Sequence, residues 1–208
     1  IAVPSTLQQS IVQIGILLVQ SVINSFGSTA IAGYSAGMRI ESLSIVPMLA
    51  MGNAMSTFTA QNMGAGKIDR VKEGYRMCYV IVLTAGAVLC VMYQLAGGAF
   101  VSLFLDSGSS EAYSVGLSYV KFLSFFYSFI GLKASTDGLL RGAGDVTAFT
   151  VANLVNLAIR VSVTNLFAPV YGIQVAWMAV PLGWAANYVI SFGWYLTGKW
   201  KKVRVIKK

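Results

Sequence analysis

Of the 208 residues, 56% are hydrophobic and only 11% are charged, whereas a soluble globular domain carries about 25% charged residues. The mean hydropathy is +0.71, a surface that hydrocarbon tolerates and water does not. The chain has no histidine, which removes the commonest general base and metal ligand, and its two cysteines, Cys78 and Cys90, fit neither a CxxC nor a disulfide framework.

Apolar stretches long enough to cross about 30 Å of hydrocarbon run over 5–27, 31–60, 74–98, 113–140, 146–168 and 173–198. They predict an all-α, polytopic bundle of six transmembrane helices forming a single unit over 1–208, with a basic tail at 199–208. The chain opens on Ile1 almost inside the first stretch, without a basic leader, so it is expected to be part of something longer.

The first span carries Gln9, Gln13, Gln20 and Asn24. At about 100° per residue these fall within roughly 60° of one another. Carboxamides are costly in lipid, so the stripe is expected either to bond other helices or to line a transport cavity. The second span carries Arg39 and Glu41, then Pro47, which should kink it. Residues two apart do not face each other on a helix, so Arg39 and Glu41 each need a separate partner. Near the start of this span, Gly33-Tyr34-Ser35-Ala36-Gly37 is a GxxxG that permits close helix contact. Gly64-Ala65-Gly66-Lys67 lacks Walker A spacing and reads as a turn. The fourth span ends with Lys133, Asp137 and Arg141 at i, i+4 and i+8, one charged face suited to a gate or an anchoring network. In the fifth, Asn153, Asn156 and Arg160 share a face, and Arg160 is expected to point into the bundle. Tyr171, Trp177, Trp194 and Trp200 bracket the sixth span as interface anchors.

The net charge of +8 would suggest nucleic acid in a soluble protein, but its placement argues otherwise. Lys67, Arg70, Lys72 and Arg76 follow the second span, Arg141 ends the fourth, and Lys199, Lys201, Lys202 and Arg204 follow the sixth. The loops after the first, third and fifth spans hold no Lys or Arg. The positive-inside rule therefore puts both ends in the cytoplasm of a multi-pass cell-membrane protein, with lipid and not nucleic acid as its surroundings. No base–nucleophile pair stands out, so no enzyme is expected.

Five short motifs resemble the MATE (multidrug and toxic compound extrusion) transporters in order and spacing. They are Pro4-Ser5-Thr6-Leu7-Gln8-Gln9, Asn24-Ser25-Phe26-Gly27, Ala32-Gly33-Tyr34-Ser35-Ala36, Gln61-Asn62-Met63-Gly64-Ala65-Gly66-Lys67 and Leu140-Arg141-Gly142-Ala143-Gly144-Asp145. The resemblance implies the second six-helix lobe of a twelve-helix exporter whose N-terminal lobe is the missing partner. It implies export of cationic or amphipathic small molecules in exchange for Na⁺ or H⁺, with no cofactor. Several family members place carboxylates where this chain reads Ser10-Ile11-Val12-Gln13 and Phe129-Ile130-Gly131-Leu132. The coupling carboxylate then lies in the other lobe, or Glu41 serves, and any metal ligands are left unassigned. The rival readings are a lipid-linked saccharide flippase of the same superfamily, which would need a more basic cavity, and a non-transporting fragment.

Overall fold

A computed structural model of the chain describes the backbone of residues 2–106 and 110–202, with side chains from Gln13 onward except those of Ser110 and Lys202. The described residues form α1 (Ala2–Asn24), α2 (Ser28–Gly64), α3 (Ile68–Ser102), α4 (Ser110–Ser124), α5 (Tyr127–Gly142), α6 (Val146–Tyr171), α7 (Gln174–Leu196) and a 3₁₀ turn at Lys199–Lys202. The helices α2, α3, α6 and α7 are each long and apolar enough to cross a membrane. Helices α4 and α5 are long and apolar enough only when taken together, and they meet at a bend of 53°.

The turns explain where helices stop. After α2, Lys67 N donates to Asn62 O (2.8 Å) and Gly66 takes φ +70°. After α5, Asp145 N donates to Leu140 O (2.9 Å) and Gly144 takes φ +83°. Both closures use the same Gly-Ala-Gly sequence, with the left-handed glycine that ends a helix by a six-to-one hydrogen bond. Asp145 then caps α6, accepting from Ala148 N at 3.4 Å.

Helix α2 is the spine, packing along α5, α4 and α3, while α6 pairs with α7 on one side and α1 on the other. Lipid offers no hydrophobic drive for helices to associate, so close packing of small residues must supply it. Along α5, Ala134, Gly138 and Gly142 recur every four residues and meet Gly52 and Ser56 of α2. A methyl on Gly52 would lie 2.6 Å from the Ala134 carbonyl oxygen, and one on Gly138 would collide with the Gly52 carbonyl. The expected GxxxG contact is also present: Gly33 and Gly37 seat Ala112, Val115 and Tyr119 of α4.

Two expectations are corrected. The stretch 113–140 is two helices broken at Phe125–Phe126. At the end of α4 a tertiary contact takes over, because Gln94 of α3 donates to Lys121 O and to Ser124 Oγ, both at 2.9 Å. The anchor reading of Trp177 and Trp200 also fails. Trp177 is buried against Tyr119, and Trp200 is fully buried, stacked on Tyr195 and donating to its carbonyl at 3.0 Å. A buried indole needs a partner for its N–H, and the Tyr195 carbonyl supplies it for Trp200.

Candidate functional site

Two groups of intramembrane charge emerge, one towards each end of the bundle. The first lies about 20 Å along α2 from its start at 1.5 Å per residue. Here Glu41 is buried and accepts a hydrogen bond from the Tyr119 hydroxyl of α4. Tyr119 stands edge-on to Tyr34 (5.3 Å between centroids) and to Trp177 (5.5 Å). Glu41 opens into a cavity of about 230 Å³ between α1, α2 and α6, shared with Gln20, Tyr34 and Arg160 among apolar neighbours. A carboxylate and a guanidinium thus face one small chamber walled by Val19, Ile45 and Leu157. Low-dielectric walls strengthen the pull of either charge on a ligand entering it.

The second group lies nearer the end carrying the basic loops. Lys133 Nζ pairs with Asp137 Oδ2 at 3.0 Å and donates to Asn153 Oδ1 of α6 at 3.0 Å. Ser191 of α7 donates to Asp137 Oδ1 at 2.7 Å and stands 3.4 Å from Asn187 Oδ1. The ion pair therefore ties α5, α6 and α7 together. Arg141, expected on the same charged face, leaves it. Its guanidinium donates to Asn53 Oδ1 (2.8 Å) and Ser56 Oγ (3.4 Å) of α2 and lies over Phe149.

The other expected residues separate. On α1 the side chains of Gln13 and Asn24 are exposed, while Gln20 lines the cavity and donates to Asn24 Oδ1 at 2.9 Å. The side chain of Gln9 lies outside the described residues. Asn153, Asn156 and Arg160 share α6 but go to different places. Asn153 serves Lys133, and Arg160 reaches the Glu41 cavity. Asn156 packs on Gly183, its Oδ1 without a hydrogen-bond partner. Arg39 is exposed, over Phe104 at 5.9 Å and turned away from Glu41. The sequence reading passed over Tyr119, Gln94 and Ser191. Nothing local marks them, since their roles arise from partners 27 to 78 residues away. It also missed a hydroxyl cluster in which Tyr75 and Tyr79 bond each other, Thr136 contacts both (2.8 and 2.9 Å), and Tyr188 accepts from Tyr79 at 3.2 Å.

A family model described as MatE matches residues 4–166. The chain belongs to the MATE transporter family. Its MATE relatives include a probable multidrug resistance protein, YpnP of Bacillus subtilis (strain 168), 28% identical over 99% of this chain and 46% of that protein. The probable multidrug resistance protein NorM of Thermotoga maritima is 21% identical over 99% of this chain and 44% of its own length. A solved outward-facing structure of a multidrug resistance MATE transporter shares the fold with TM-score 0.84 and 17% identity, over 93% of this chain and 43% of that one. The chain spans about half the length of the curated relatives it matches. A MATE lobe is thus an all-helical membrane unit belonging to a family of transporters, not enzymes.

Proposed function

We propose that the chain is one of two six-helix lobes of a secondary efflux transporter. The whole protein would export drugs or toxic organic cations across the cell membrane by antiport with Na⁺ or H⁺. The observation that carries the reading is the cavity where Gln20 of α1, Glu41 of α2 and Arg160 of α6 converge. An intramembrane carboxylate held in an apolar chamber attracts a cation or takes up a proton. Apolar walls at Ile16, Val19, Met38 and Ile45 suit the body of an amphipathic substrate. Glu41 is therefore assigned as the coupling carboxylate of this lobe. Arg160 keeps the chamber near neutral when Glu41 is ionised and repels a bound cation once Glu41 is protonated. The second lobe, supplied by the rest of the polypeptide, completes the substrate path, since alternating access rocks one repeat against another. Both ends of this lobe are assigned to the cytoplasm from the basic loops.

Inside-out vesicles containing the whole transporter test the proposal. Uptake of a fluorescent organic cation driven by a Na⁺ or H⁺ gradient is expected, and Glu41→Gln should uncouple it from that gradient. Uptake of equal size with and without the gradient would refute antiport.

A further inference from the structure

Away from the Glu41 cavity, which α1, α2 and α6 enclose, helices α3 and α7 both pack on α5 and meet across it through aromatic rings. Tyr75 of α3 stands 4.7 Å from Tyr195 of α7, and Tyr79 stands 6.4 Å from Tyr188. Thr136 of α5 is the floor of this seam, bonded to the hydroxyls of both α3 tyrosines. Phe192 completes the row on α7, stacked on Tyr188 (5.4 Å) and on Tyr195 (5.9 Å). Tyr79, Tyr188 and Phe192 are half-buried, and their sequence neighbours Val80 and Val189 are exposed. The Tyr188 hydroxyl accepts from Tyr79 at 3.2 Å and keeps its own O–H to give.

The seam ends at a basic mouth. The turn after α7 folds back so that Trp200 is fully buried, stacked on Tyr195 at 5.6 Å. That seat holds Lys201 beside the start of α3, close enough to act on Asp69 electrostatically. Asp69 already pairs with Lys72 at 2.7 Å, so two ammonium groups stand by one carboxylate. Lys201 lies over the Trp200 ring and Lys199 over that of Trp194. Arg70 and Arg76 are exposed on the same end of α3, where the acids are Asp69 and Glu73. Surplus positive charge at headgroup depth thus continues into a row of rings that runs about 10 Å deeper, from Tyr195 to Tyr188.

We propose that the seam between α3 and α7 binds an anionic phospholipid of the leaflet on the basic side. Its phosphate sits between Lys72 and Lys201, an ester oxygen of its glycerol accepts from the Tyr188 hydroxyl, and its acyl chains lie along Tyr79 and Phe192. A zwitterionic lipid brings its own cation to the lysines and gives up that advantage. A free phosphate gains the lysines but not the rings, which suit the boundary between headgroup and hydrocarbon. The site shares no residue with the Glu41 cavity, so its occupancy does not depend on which ion drives transport.

The test uses the full-length transporter, stripped of lipid in detergent and titrated with phosphatidylglycerol or phosphatidylcholine, with bound lipid read by native mass spectrometry. Phosphatidylglycerol should be held more tightly. Lys72→Gln and Lys201→Gln should each weaken it about fivefold, the scale of one basic residue at an anionic surface, and leave phosphatidylcholine unchanged. Tyr188→Phe should weaken both lipids, since both carry ester oxygens. Arg141→Gln, at the same end of the bundle but bonded to α2, should change neither. Equal retention of the two lipids in the wild type overturns the proposal. An equal loss in Arg141→Gln also overturns it, because it would mark diffuse attraction by every basic group. Displacement of phosphatidylglycerol by millimolar inorganic phosphate would overturn the lipid in favour of a free anion.

Discussion

The costliest side chains to bury are Lys133 and Asp137, whose exposures in the ion pair are 14% and 5%. Removing one partner strands the other charge in low dielectric, which costs several kcal/mol more than losing both. Lys133→Ala is expected to destabilise the protein by about 3 kcal/mol in detergent, and the double change Lys133→Ala, Asp137→Ala by clearly less. Chemical denaturation of the wild type, Lys133→Ala, Asp137→Ala and the double variant checks this. An additive result would mean that the pair is solvated. On α1, Gln13 and Gln20 give a different contrast. Gln13 is exposed and Gln20 lines the Glu41 cavity. If both face the substrate path, Gln13→Leu and Gln20→Leu should each impair efflux per folded molecule. A loss of only about 0.6 to 2 kcal/mol of stability, with normal efflux, would instead mark them as interhelical hydrogen-bonding groups.

Helix contact through bare backbone makes a sharp demand on α5. Gly138→Ala places a methyl against the Gly52 carbonyl, with no flexible side chain able to move away. The expected loss is about 1–3 kcal/mol, the usual cost of overpacking, read as a lower melting temperature. Alanine at Gly193, where nothing lies within 4 Å, should leave it unchanged. Much at this scale was legible in the sequence. The apolar runs fall on helices, the Gly64-Ala65-Gly66 turn marked the end of α2, and Gly33-xxx-Gly37 announced its contact. Arg160 was expected inside the bundle because its depth left little alternative. The break at Phe125–Phe126 was not legible, because residues 117–130 contain no proline or glycine and Gln94, which bonds the end of α4, lies on another helix. The Lys133–Asp137–Arg141 face was half legible. Spacing alone brought the first two together, but only the position of Asn53 explains why Arg141 turns to α2.

At the scale of the whole molecule, the basic loops predict sidedness. Single cysteines at Lys67 and Lys201 in a background lacking Cys78 and Cys90 should react with impermeant reagent only from the cytoplasm, and one at Asp106 only from outside. External labelling at Lys201 would reverse the assignment of the ends. The same scale sets a limit on activity, because the chain corresponds to about half of its relatives. Expressed alone, it is predicted to insert and not to transport, since a lone lobe has no counterpart to rock against. Substrate efflux above an empty-membrane control, by a chain shown to be monomeric, would contradict that.

All four tryptophans, Trp177, Trp184, Trp194 and Trp200, fall on α7 and the turn that follows it. The ultraviolet emission of this lobe therefore reports on one wall of the bundle. Trp177 touches α4, through the ring of Tyr119. With the other three replaced by phenylalanine, the protein would carry its own optical gauge at the Glu41 bond. A change in that single indole's brightness or colour as ligand arrives could be followed in real time, with no label attached.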